Sequence, residues 1–256
     1  MNEPELLYQT DQNVAWLTIN REARRNSISP QIISLFGEYL DRAEADDNVR
    51  VLAITGAGHK VFCSGADLSG AMESEGNTAF QQYADLLKRV SAFPKPTLAK
   101  VNGHCLAGGT GIMLACDIVI AADTATFGTP EVNVGLFPLM IGALIFRNAP
   151  RKKAMEMILL GERLSAAQAL DMGMLTRVVS QTHLDEEVNS VLAKLTAKSP
   201  IGMRIGKLAF DHVKDMPLEL ALDHLAGQLG VVAATEDARE GIMAFLEKRT
   251  PQFKGR

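Results

Sequence analysis

Two hydrophobic periods run along the chain, and the change from one to the other divides it. Val14-Ala15-Trp16-Leu17-Thr18-Ile19 is an apolar run of strand length, closed by Asn20 and a charged turn. Ser29-Pro30 then predicts a helix start, because a serine hydroxyl caps the first amides and proline suits the first helical position. Ile32, Ile33, Phe36 and Leu40 follow at helical spacing. The run 49–55 reads as a second strand leading into Gly56-Ala57-Gly58, and 97–101 and 118–121 read as a third and a fourth. Strands and helices alternate in this way to about residue 180, the pattern of an α/β core. From Leu184 to Lys248 only helical periodicity remains, broken at Ser199-Pro200, Met216-Pro217 and Thr235-Glu236. No Gly/Ser linker, internal repeat or low-complexity tract intervenes. The expected organisation is therefore a core over residues 1–195 with a helical region, 196–256, packed on it.

Composition narrows the class of function. The 256 residues are 47% apolar and 22% charged, which excludes global disorder. A net charge of −4 argues against a nucleic-acid surface. Three cysteines (Cys63, Cys105, Cys116) are too few and too irregular for a secreted disulfide framework. The histidines form no HExxH pattern, and with no paired CxxC no metal site is expected. The first twelve residues lack a signal-peptide layout, and no uncharged apolar run reaches the ~18 residues a membrane span needs. The expectation is a cytoplasmic protein with no membrane partner.

Two loops carry candidate chemistry. Phe62-Cys63-Ser64-Gly65-Ala66-Asp67-Leu68 follows the second strand, and its small residues let backbone approach a ligand. Asn102 to Gly111 follows the third strand and runs into Ile112-Met113-Leu114-Ala115. A helix beginning near Gly108 would expose unpaired N–H groups. One N–H from each loop can hold an oxyanion, and such a donor is worth roughly 2.7–4 kcal/mol in the transition state. Ordinary strand-to-helix turns would also be glycine-rich, so neither loop decides alone. Sharper motifs fail on spelling. Gly56-Ala57-Gly58 lacks the third glycine of a dinucleotide fingerprint, no P-loop occurs, and Ser64 lacks the glycine at Phe62 that a nucleophile elbow needs. Cys63 and Cys105 read as small packing residues, His104 as a loop-lining side chain, and Met155 and Met157 as helix packing.

Taken in order, Ser64-Gly65-Ala66-Asp67-Leu68, Asn102-Gly103 with Gly108-Gly109, Cys116-Asp117-Ile118, Pro130-Glu131, Gly161-Glu162-Arg163-Leu164-Ser165-Ala166 and Glu240-Gly241-Ile242-Met243-Ala244-Phe245 resemble the enoyl-CoA hydratase/isomerase (crotonase) family. The resemblance spans nearly the whole chain. It implies an α/β fold, a spiral of ββα units with a C-terminal helical trimerisation region, assembled as a homotrimer or as a hexamer of paired trimers. It also implies an acyl-CoA substrate with no further cofactor. The N–H groups of Ala66 and Gly108 would hold the thioester oxygen, and Ala66, Asp67, Leu68 and Ser69 would line the CoA channel. Arg24 or Arg25 would meet CoA phosphates, and Phe245 and Lys248 would reach CoA from a neighbouring subunit. Glu131 matches the second catalytic glutamate of the two-glutamate hydratases, whose first falls at Gly111 here. The further acid of the dienoyl-CoA isomerases falls at Leu139. A single carboxylate can move a proton from C2 to C4 as base and then acid, which tilts the implied reaction toward double-bond isomerisation. Hydration of a 2-enoyl-CoA is the alternative within the family, and a weakly catalytic or non-catalytic CoA-binding scaffold the alternative outside it. The apolar stretch 136–141 is expected to build a dry acyl pocket that raises the pKa of Glu131.

Overall fold

The computed structural model describes residues 3–67 and 76–256. Ten strands and ten α-helices are found among them. A hairpin of β1 (Leu6–Asp11) and β2 (Val14–Ile19) leads to α1 (Pro30–Ala45). Gln12 and Asn13 both have positive φ, the backbone demanded by the tight turns that match strand twist. The expected cap at α1 is present: Ser29 Oγ accepts from Ile32 N at 3.1 Å, with Pro30 behind it. Three strand pairs follow. They are β3 (Val51–Gly56) with β4 (Val61–Cys63), β5 (Thr97–Val101) with β6 (His104–Leu106), and β7 (Ile118–Ala122) with β8 (Thr126–Gly128). After each pair comes a helix: α2 (Gly76–Ser91), α3 (Gly108–Leu114) and α4 (Leu139–Asn148) respectively. Then come α5 (Arg151–Leu160), β9 (Leu164–Ser165), α6 (Ala166–Asp171), β10 (Arg177–Val179) and α7 (Leu184–Thr196).

Each pair sends its first strand to one sheet and its second to another. The larger sheet has the order β1-β2-β3-β5-β7-β10, parallel except for β1, and the smaller has β4-β6-β8-β9, parallel except for β9. This is the expected spiral of ββα units. The strands β4, β6 and β8 went unseen in the sequence because three residues show no period. β3 is buried along its whole length because both of its faces are covered. Leu52 and Ile54 join the main core with α1, whereas Val51 and Ala53 pack under Leu184, Val188, Val191 and Leu192 of α7.

The C-terminal helices start at the three breaks the sequence marks: α8 (Pro200–Val213), α9 (Leu218–Ala233) and α10 (Glu236–Leu246). They bury little within one chain. Leu218, Leu220, Leu222, Leu229, Phe210 and Phe245 are all exposed. What ties the region together is Asp237, 1% exposed, whose carboxylate accepts from Ser199 Oγ at 2.7 Å and from the Lys254 and Gly255 amides. One hydrogen bond to a buried charge is worth roughly 1.5–3 kcal/mol. Asp237→Ala is therefore expected to lower the urea midpoint by at least that equivalent, with turnover at saturating substrate nearly unchanged.

Candidate active site

The site forms where β4, β6 and β8 end side by side. Parallel strands deliver their carboxyl ends to one edge, and ligands bind outside such ends. The loop after β4 carries Gly65, Ala66 and Asp67, the turn after β6 carries Ala107 and Gly108, and β8 runs through Thr129 into a 3-10 turn, Pro130–Val134, that holds Glu131. Cys63 pairs with Cys105 and Leu106 with Gly128 across the sheet, so the three loops start in register.

The first two loops meet at Gly65. Its φ is +97°, and a Cβ there would lie 2.6 Å from Ala107 Cβ and 3.1 Å from Gly108 N, so only glycine fits. The β4 loop is strapped from outside by Ile28, which donates to Gly65 O at 2.8 Å and accepts from Asp67 N at 2.9 Å. Neither bond of that bridge uses the Ala66 N–H, which has no backbone partner among the described residues. Gly108 opens α3, so its N–H has no partner within the helix. Ala107 N donates to Gly128 O at 2.9 Å, and this bond ties the second loop to the strand leading to Glu131.

The Glu131 turn is braced on its far side. Leu136 N closes onto Glu131 O at 3.0 Å, and Asn133 Nδ2 reaches Gly161 O at 3.2 Å. The stretch Gly161–Ala166 thus has a structural role: β9 pairs with β8, and Ser165 and Gln168 form a reciprocal cap on α6. Glu131 is half-buried, and its Oε2 has no hydrogen-bond partner among the described residues. Burial pushes the Glu131 carboxyl above the usual carboxylate range, with its own N–H pulling partly back.

The position of the missing second carboxylate is filled. A Cβ on Gly111 would fall 2.5 Å from Ile141 Cγ2, 2.6 Å from the Tyr83 hydroxyl oxygen and 3.4 Å from Leu87 Cδ1. Tyr83 is buried and donates its hydroxyl proton to Gly108 O. Burial first, then the neighbouring Cys63, Cys105 and Glu131, push its phenol well above the ordinary tyrosine value. Tyr83 was missed in the sequence because Leu86, Leu87 and Val90 follow it at helical spacing and make it look like one more core residue.

Other expectations divide. Cys63, Cys105 and Cys116 are buried thiols, with Cys63 and Cys116 pushed up to about 12 by desolvation, so none is a thiolate nucleophile. His104 Nδ1 pairs with Thr126 Oγ1 at 2.9 Å between β6 and β8, a structural contact. Met157 is buried in packing. Leu68 and Ser69 lie outside the described residues. The Asp67 side chain is engaged by Arg21 at 2.9 Å, and Arg21 also binds Glu5 at 3.0 Å. Arg21 thus braces the loop, while Arg24 and Arg25 are exposed beside it. Phe245 and Lys248 lie at the end of α10, which packs on α8 and α9. The stretch 136–141 departs from expectation. Leu136, Phe137 and Leu139 are 53%, 47% and 76% exposed in the single chain, and it is Ile141 that points inward. The 3-10 turn and the αL residue Gly135 swing the apolar run outward before α4 begins.

Two backbone donors with no partner among the described residues, together with one half-buried acid, can hold an oxyanion and move a proton. The family model described as enoyl-CoA hydratase/isomerase matches residues 9–256. The 2,3-dehydroadipyl-CoA hydratase of Escherichia coli (strain K12) is 35% identical over 254 residues, covering 98% of this chain and 99% of that protein. The 1,2-epoxyphenylacetyl-CoA isomerase of the same strain is 34% identical over 259 residues, covering 98% of each. The crystal structure of an enoyl-CoA hydratase from Mycobacterium smegmatis matches with a TM-score of 0.95 at 32% identity, over 98% of this chain and 99% of that one. The chain belongs to the enoyl-CoA hydratase/isomerase family and is an enzyme of that family, acting on CoA thioesters.

A base that must be ionised to act gives a rate that falls with acid. For this carboxyl the acid limb of kcat/KM is expected to have its midpoint above the ~4.3 of an ordinary glutamate, with about a tenfold loss per pH unit below it. A pH–rate profile on an acyl-CoA substrate checks this, and a midpoint at or below the ordinary value would contradict it.

Proposed function

We propose that the enzyme shifts the double bond of a 3-enoyl-CoA into conjugation with the thioester, using Glu131 as its single acid and base. The observation that supports this is the filled position at Gly111, which leaves Glu131, with an oxygen that has no partner among the described residues, as the one carboxylate of the pair. The Glu131 carboxylate takes a proton from C2 and the C2–H bond breaks. Electrons move to the thioester oxygen, which the Ala66 and Gly108 N–H groups receive as an enolate. Collapse of the enolate forms the C2–C3 double bond while Glu131 returns the proton to C4. No water enters the balance. The raised pKa suits both halves, because it moves the group toward the working pH, where a stronger base and a more fully available acid are combined.

CoA is proposed to run along Ala66 to Ser69, with Arg24 and Arg25 available to its phosphates. Phe245 and Lys248 would approach from a second copy in a trimer or a pair of trimers. The exposed apolar residues of α8, α9 and α10 support such an assembly, since so many on one set of helices mark an interface.

A second reading has its own support. Several similar proteins carry hydratase names, among them the 2,3-dehydroadipyl-CoA hydratase above and a (E)-benzylidenesuccinyl-CoA hydratase of Thauera aromatica, 35% identical over 251 residues. Under that reading water adds at C3 of a 2-enoyl-CoA. Separate incubations with a 3-enoyl-CoA and a 2-enoyl-CoA, each followed by mass and thioester conjugation absorbance, distinguish the two. A conjugated product of unchanged mass from the 3-enoyl-CoA supports isomerisation, and a water adduct from the 2-enoyl-CoA with no turnover of the 3-enoyl-CoA supports hydration.

A further inference from the structure

The Tyr83 hydroxyl lies 2.6 Å from where a side chain on Gly111 would begin, and it is held there by its bond to Gly108 O. Ile141 closes the same place from the other side and Leu87 caps it. A water in this place would lie within the reach of the Glu131 charge, which acts on Tyr83 and whose Oε2 has no partner among the described residues. Such a water needs at least two polar partners. Gly108 O and Glu131 would supply them, but the tyrosine oxygen already takes the first and fills the volume. Its phenol stays protonated, so it is a fixed donor that adds no second base.

We propose that Tyr83 is the specificity-determining residue of the site, its hydroxyl denying a place to the water that would add at C3 of a 2-enoyl thioester, so that the enolate forms only by loss of a C2 proton and is consumed only by protonation. The inference rests on the isomerase reading above. It assigns Tyr83 a positioning role, through Gly108, together with a water-excluding one.

The test is the ratio of water adduct, measured by mass, to isomerised product, measured by thioester conjugation absorbance, on 3-enoyl-CoA and 2-enoyl-CoA for wild type, Tyr83→Phe and Ile141→Ala. Tyr83→Phe removes one oxygen and keeps the ring, so the fold is retained. Ile141→Ala opens the same place and leaves the hydroxyl. The expected result is a rise in the ratio on the order of tenfold or more in Tyr83→Phe, the rate equivalent of one hydrogen bond to a newly seated water. Ile141→Ala is expected to lose rate without a change in ratio. An unchanged ratio in Tyr83→Phe overturns the inference and leaves the isomerase reading standing. An equal rise in Ile141→Ala also overturns it, because any loosening would then suffice. A wild type that hydrates the 2-enoyl-CoA and leaves the 3-enoyl-CoA unchanged overturns the isomerase reading and this inference with it.

Discussion

Glu131→Gln is expected to keep the fold and to lower kcat by about 10²–10⁴-fold, the range supplied by a positioned general acid–base. Glutamine has the size of glutamate and can occupy the same 3-10 turn, so the Leu136 N to Glu131 O bond and the Asn133 brace survive. It cannot carry a proton from C2 to C4. KM should change little, because the proposed CoA contacts lie on other loops. Stability should move the opposite way from activity. The folded state raises the Glu131 pKa, so it holds that proton more tightly than the unfolded chain does. Below the ordinary carboxylate range both states are protonated and there is no penalty. As pH rises through the ordinary value and then through the raised one, the native state loses stability relative to the unfolded chain. The amide has no such ionisation, so the variant should melt higher than wild type at neutral pH and alike in acid. Initial rates with paired melts at the two pH values test both halves. A variant with wild-type turnover would remove Glu131 from the chemistry.

Gly111→Glu, the substitution that would restore a two-carboxylate sequence, is expected to destabilise the protein without adding hydration. Even the first carbon would meet Ile141 Cγ2 at 2.5 Å and the tyrosine oxygen at 2.6 Å. Neither neighbour is a loose chain end, since Ile141 is buried within α4 and Tyr83 is pinned to Gly108. Overpacking of this kind costs about 1–3 kcal/mol, and a carboxylate forced among Tyr83, Ile141 and Leu87 adds desolvation. Replacing a helical glycine would otherwise gain about 0.5–1 kcal/mol, so the expected loss is a net one. At about 2–4 °C per kcal/mol for a chain of this size, a thermal melt resolves it. A stable variant with new hydratase activity would show that the place can open.

Much of this architecture is legible in the sequence, for identifiable reasons. Ser29-Pro30, Ser199-Pro200, Met216-Pro217 and Thr235-Glu236 each mark a helix start that the structure contains, because caps and prolines act locally. Gly65, Gly108 and Glu131 announce themselves through small residues and an acid in an ordered set of motifs. Tyr83 and Ile141 do not, because their importance comes from lying against Gly111 across a tertiary contact, which no local pattern encodes. The same holds for Arg21, whose partners Glu5 and Asp67 lie far apart in sequence. The outward turn of Leu136, Phe137 and Leu139 was hidden for a related reason. Apolar composition says that a surface will be covered, but not by which chain.

The larger sheet has one more property, which concerns synthesis. Its strand order, β1-β2-β3-β5-β7-β10, is the order in which those segments leave the ribosome. Each nascent strand finds its hydrogen-bonding neighbour already made, and no strand waits for a partner translated much later. Parallel sheets are slow to form when distant segments must search for one another, and growth at one edge shortens that search. The working parts emerge in sequence as well: first the loop of Ala66, then Tyr83, then Gly108 against them, and Glu131 last. The nascent chain thus has its proposed thioester cradle before it has the proposed acid.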